Sequence, residues 1–143
     1  MGSKEKRGQG GGATEPPPYL LTAEERHGYL YARVVGPRTA ENAQRFLKEA
    51  YEECVRRGLA ALLLEMGLTG PALDMASVFR VIASRASDGA KLKRIAYIEP
   101  APSDIPSALF AETVANNRGV NVRLFKDLDA ADRWLTDAAR KKA

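Results

Sequence analysis

Few residues in this chain have both the chemistry and the spacing that catalysis needs. The 143 residues hold one histidine, His27, and one cysteine, Cys54, and a Cys/His nucleophile requires the two within hydrogen-bond reach. The local pattern sets them apart. His27 falls in a turn, while Cys54 lies on the apolar stripe of a helix, where a thiol is inert. A single cysteine also excludes an intramolecular disulfide and a zinc site built on several thiolates. No GxSxG elbow marks a serine nucleophile, and neither GxxxxGK[ST] nor GxGxxG follows a predicted strand. The carboxylates Glu24 and Glu25, and Glu52 and Glu53, are chain neighbours that point to different faces, so they do not converge on a substrate or metal. The expectation is a protein that is not an enzyme and uses no metal and no cofactor.

Two loops offer more. The stretch "LTGPALDMASV", Leu68 to Val78, leads from an apolar strand into a helix. In an open α/β sheet, ligands bind beyond the carboxyl ends of the parallel strands, where helix N-termini present free N–H groups. Thr69, Gly70, Asp74, Met75 and Ser77 are the candidate binding residues at that end, with Ser103 and Asp104 of a second loop. A structural reading fits the same residues: Gly70 and Pro71 turn the chain, Asp74 caps the helix and Ser77 faces solvent. Asp74 would also repel an anion placed there. The second loop, "EPAPSDIPSALF", is stiffened by Pro100, Pro102 and Pro106, and Ser103 and Asp104 are expected to cap the helix that follows. The two loops are expected at one edge of the sheet, with a shallow groove between them walled by Tyr97, Phe79 or Ile105.

The elements that must position these loops can be read from periodicity. Residues 1 to about 18, rich in glycine and proline without aliphatic clusters, predict a disordered tail. Then "YLLTAEERHGYLYARVVG" predicts two strands joined by a tight turn at Arg26-His27-Gly28. "TAENAQRFLKEAYEECVRRG" carries apolar groups at helical spacing, with Thr39 and Asn42 at a capped start and Gly58 as the stop. "LAALLLEM" suits a central strand covered on both faces. The following helix is expected to bury Met75, Val78, Phe79, Ile82 and Ala86 on one face. "KRIAYIEP" is a strand, a helix from about Pro106 to Asn117 is expected to bury Leu109, Phe110 and Val114, and "VNVRLF" is the last strand. An amphipathic helix through Leu128, Ala131, Trp134, Leu135 and Ala138 closes the chain. The order ββαβαβαβα predicts an α/β fold: one domain over 19–140, with a mixed, mostly parallel sheet of about five strands and about four helices.

Composition adds bounds. Hydrophobic residues make up 45% of the chain and the formal charge is +4, part of it at the two ends. Basic ends of this kind favour solubility over nucleic-acid binding, and aromatics do not interleave with basic residues as single-stranded nucleic acid requires. No apolar run approaches the roughly 20 residues of a membrane span, and the charged start does not resemble a signal peptide. The expected location is cytoplasmic.

The segments "YLYARVVGPRTAENAQRFLKEAYEECVRRGLAALLLEMGLTG" and "NRGVNVRLFKDLDAADRWL" resemble the STAS family, in its sporulation anti-anti-sigma-factor-like branch. The likeness covers about residues 19 to 138. It rests on a Gly-Pro-x-Thr turn before the first helix, an acidic residue ending the central strand, and the closing aromatic pattern. The resemblance implies the ββαβαβαβα fold and a regulatory, non-enzymatic role. Some members bind a partner kinase and are phosphorylated at the start of the helix after the central strand; others bind nucleotides or lipids. Here Asp74 matches the family's aspartate but Met75 stands where the phosphorylated serine would be, leaving Ser77 and Thr69 as candidate phosphoacceptors. The functional expectation is therefore a non-catalytic interaction domain that binds a protein partner or small ligand through the strand-end loops. An alternative is a carrier or sensor of an apolar, lipid-like ligand in a cavity lined by Phe79, Ile82, Leu109 and Phe110. A third reading is a phospho-switched anti-sigma-factor antagonist.

Overall fold

The computed structural model describes residues 18–142. Most of the expected N-terminal tail thus lies outside the described residues. Pro18 is in place, its carbonyl accepting a hydrogen bond of 2.8 Å from the Asn42 side chain.

Five strands form one sheet in the order β1-β2-β3-β4-β5. Strands β1 (Leu20–Arg26) and β2 (Tyr29–Pro37) pair antiparallel, joined by His27 and Gly28, both with positive φ (49° and 87°). Two such residues make the turn whose twist suits a hairpin. Beyond it, β3 (Ala61–Thr69), β4 (Arg94–Ile98) and β5 (Val122–Phe125) run parallel to β2. The three connections pass through α1 (Ala40–Arg56), α2 (Met75–Gly89) and α3 (Ile105–Asn117), and the final helix α4 (Leu128–Lys142) follows β5. This is the mixed, mostly parallel α/β architecture that the pattern predicted.

Period-two alternation divides the sheet between two cores. Leu30, Ala32, Val34, Leu62, Leu64, Met66 and Ile95 face α1–α3. Tyr29, Leu63, Ala96 and Ile98 face Ala131 and Leu135 of α4. The central run "LLL" is buried on both sides because β3 is covered by both layers. Cys54 is wholly buried in the first core, its thiol donating to the Ala61 carbonyl at 3.3 Å, and burial pushes its pKa up to about 12.

Helix starts follow their caps. Thr39 accepts from the Asn42 N–H at 3.0 Å, and Asp74 from the Ser77 N–H at 2.8 Å. Asn42 does not reach back as a capping-box glutamate would. Its amide instead bonds the Pro18 and Pro37 carbonyls, pinning the start of β1 to the end of β2.

Two helices differ from the predicted faces. On α2 the buried positions are Val78, Val81, Ala86 and Gly89, while Met75 and Phe79 stay 46% and 43% exposed. The reason is placement between α1 and α3: Gly89 sits so close to Tyr51 and Val120 that a Cβ would come within 3.1 Å of Val120. Met75 and Phe79 fall at the edge of the buried arc, and Arg118 lies over the Phe79 ring at 5.0 Å. On α3, Val114 is buried as expected, but the other inward residues are Ala108 and Ala115, whereas Leu109 is 48% exposed and Phe110 half-buried.

Candidate functional site

The carboxyl ends of β2, β3 and β4 meet at a buried arginine. Arg38 directly follows β2 and continues the ladder, its N–H donating to the Thr69 carbonyl at 2.8 Å. Its guanidinium donates to the carbonyls of Gly70 (2.6 Å) and Leu68 (3.3 Å). It also pairs with Asp104 at 2.6 Å and stands 3.6 Å from Glu99. The three side chains are only 7% (Arg38), 4% (Asp104) and 4% (Glu99) exposed. Two buried carboxylates beside one guanidinium form an unusual charge cluster, because desolvating each ion costs several kcal/mol unless it is paired. Burial pushes the Glu99 carboxyl above the ordinary glutamate range and the adjoining Asp104 charge pushes it the same way, against the opposing effects of the Ala101 N–H and Arg38.

Asp104 was expected to cap α3. It occupies the position before that helix, at the end of a one-turn 3-10 helix Pro102–Asp104 that also contains Ser103, but its side chain caps nothing and turns inward to Arg38. One carboxylate oxygen, Oδ1, is buried with no hydrogen-bond partner among the described residues. The other predicted residues form a separate, outer group. Asp74 Oδ2 accepts from the Ser77 hydroxyl at 3.2 Å, and Arg80 donates to that same hydroxyl at 3.3 Å. The Ser77 N–H and hydroxyl hold the Asp74 carboxyl below its ordinary range. Thr69 donates to the Gly36 carbonyl at 3.3 Å, and Met75 faces out beside them. Gly70, with φ 97°, makes the turn that presents its carbonyl to Arg38. The two expected loops do meet: the Ser107 hydroxyl donates to the Leu73 carbonyl at 3.3 Å.

Beneath this cluster a cavity of about 100 Å³ lies between the sheet and α1–α3. Its sheet wall is apolar, with Leu64, Met66, Ile95 and Val122, and its helix wall is rich in alanine, with Ala43, Ala86, Ala108, Ala111 and Ala115. Arg38, Glu99 and Asp104 close one end, and Arg85 lines it as well. It reaches the surface at the strand ends, where exposed Thr39 and half-buried Leu73 and Ser107 contribute to its lining. Of the residues expected around an apolar cavity, Ile82 lines this one; Phe79, Leu109 and Phe110 do not, since α2 and α3 present other faces to it. Of the expected groove walls, Tyr97 lines the cavity, and burial raises its hydroxyl pKa. Phe79 and Ile105 are not among its walls.

Sequence reasoning missed Arg38 and Glu99. Arg38 is the unassigned third residue of the Gly-Pro-x-Thr turn, and Glu99 follows an apolar strand directly. Their signal was a charge abutting each of two inward-facing strand ends. His27 and Cys54 lie on opposite layers: His27 pairs with Asp132 of α4 at 2.7 Å, and Tyr29 donates to the same oxygen at 2.6 Å. Among the described residues no group of three or more His, Cys, Asp or Glu side chains is arranged to hold a metal, and no helix is long and apolar enough to cross a membrane.

No family model matches the chain, and no curated protein does. Among solved structures it is similar to the NMR structure of the protein TM1081, at 15% identity and a TM-score of 0.46, over 93% of this chain and 96% of that one.

The charge cluster yields two predictions. Arg38→Ala leaves two carboxylates buried without a counter-charge and is expected to cost about 3–5 kcal/mol in urea unfolding at neutral pH. Glu99 sets a pH dependence. With its folded-state pKa above the ordinary 4.5, the folded chain holds a proton that the unfolded chain has released, so stability is lost as pH rises from 4.5 through the folded value. Thermal unfolding of wild type against Glu99→Gln should therefore show the wild type falling behind as pH rises through that window. A constant difference would contradict the assignment.

Proposed function

We propose that this chain is a non-catalytic regulatory or interaction domain that binds a small, largely apolar ligand at the carboxyl ends of its parallel strands. The observation that carries this reading is the cavity beneath the Arg38–Asp104–Glu99 cluster, apolar along its walls, polar at its end and open toward the 67–77 and 100–107 loops. Apolar walls with a few convergent polar groups are what small-molecule sites share. The alanines of the helix wall support it further, because larger aliphatic side chains at those positions would fill the space. A STAS-like regulatory role agrees with the strand order and with the sequence resemblance.

A second reading, docking of a protein partner, is supported by the exposed Met75, Phe79 and Leu109 on α2 and α3. In that reading Ser77, already held by Asp74 and Arg80, is the phosphoacceptor best placed to control the surface.

Native mass spectrometry of the protein purified gently from its own cells separates the two. The ligand reading predicts a small extra mass that is lost on denaturation. A bare chain, or one travelling with another polypeptide, would favour the partner reading.

A further inference from the structure

Two buried side-chain nitrogen or oxygen atoms have no hydrogen-bond partner among the described residues: Asp104 Oδ1 and Arg85 Nε. Both residues line the same cavity. Leaving such a group unpaired costs on the order of 1–3 kcal/mol, and more for a charged one, so two in one cavity mark where a bound molecule gains. Their chemistry is opposite. A carboxylate oxygen only accepts, and a guanidinium N–H only donates.

Their neighbours restrict what can approach. At the outer end, Arg38 is already committed to the Leu68 and Gly70 carbonyls and to Asp104, so it has little left for an incoming anion. Glu99 stands beside it, which further disfavours negative charge. At the other end Arg85 pairs with Asp88 at 3.2 Å through a terminal nitrogen, and its Nε has no partner among the described residues. The ends are well separated. Asp104 lies at the level where α2 begins, because α3 is tied there through Ser107 and Leu73. Arg85 comes 11 positions after the Asp74 cap, a rise of about 16 Å at 1.5 Å per residue. Since helical side chains lean back toward the N-terminus, the gap between the two atoms is roughly 10–15 Å.

We infer that the ligand of this cavity is an elongated small molecule with a hydrogen-bond donor at one end for Asp104, an acceptor at the other for Arg85, and an apolar body about one aromatic ring long between them. This rests on the ligand-binding reading above and gives it a chemical class: an alcohol, phenol or amine whose far end bears a nitrile, carbonyl or similar acceptor. The donor end lies by the loops and the acceptor end toward the C-terminal half of α2.

Four para-disubstituted benzenes of similar size test this with the full-length protein: p-xylene with neither group, p-cresol with the donor, p-tolunitrile with the acceptor, and 4-hydroxybenzonitrile with both. Binding is read from NMR shifts of the Ile82, Ile95 and Val122 methyls, at mildly acidic pH where the phenols are neutral. Each polar group is expected to tighten binding at least about tenfold, as hydrogen bonds to charged partners do, making 4-hydroxybenzonitrile the tightest of the four. In Arg85→Leu the nitrile advantage should vanish while that of the hydroxyl persists, and retained p-xylene binding shows that the cavity is intact. If all four bind equally, or only one substituent contributes, the two-ended ligand is overturned while the cavity reading stands. If none binds, the cavity reading itself falls.

Discussion

The carboxyl end of the sheet hangs on one buried guanidinium. Arg38 extends from β2, holds the carbonyls that end β3, and neutralises the carboxylate before α3. Three strand ends and a helix entry are thereby fixed to a single side chain. The planar fork of arginine suits this task, since it serves several acceptors at once where the point charge of a lysine would not. The second carboxylate, Glu99, shares that guanidinium at 3.6 Å. A hydrophobic trio would hold the strand ends with less desolvation.

The cavity below has an equally simple origin. Helices α1 to α3 pack on the same face of the sheet, and their inward positions include alanines at 43, 86, 108, 111 and 115. Small residues let the helices approach one another but leave the sheet face incompletely filled. The opposite face shows the alternative: α4 places Leu135 and Ala131 directly on Leu63, Ala96 and Ile98. It adds Trp134 against Phe125, with ring centroids 5.4 Å apart. Asp132 then locks α4 to the hairpin through Tyr29 and His27. One face is a packed support and the other holds the space.

Much of this was legible in the sequence, for identifiable reasons. Strand and helix order followed from period and from turn residues, and the apolar run from Leu62 to Leu64 announced a strand buried on both faces. The caps Thr39 and Asp74 were readable because their chemistry is local. Helix faces were less so. In α2 the apolar residues Met75, Val78, Phe79, Val81 and Ile82 span an arc wider than the face that is buried, and which part is covered depends on packing against α1 and α3, neighbours distant in sequence such as Tyr51 and Val120 beside Gly89. The site itself was half visible. Asp104 stood out as a cap candidate, but its true partner, Arg38, is 66 positions earlier and meets it only after β3 and β4 have aligned.

The most direct test of this account is a crystal structure under xenon pressure, since xenon enters apolar cavities of this scale without needing any polar contact. Xenon density between the sheet and α1–α3, beside Leu64, Ile82 and Ile95 and below an intact Arg38–Asp104 pair, is the predicted result. Side chains closed over that space with no xenon bound would contradict the claim that this fold keeps a cavity for a ligand.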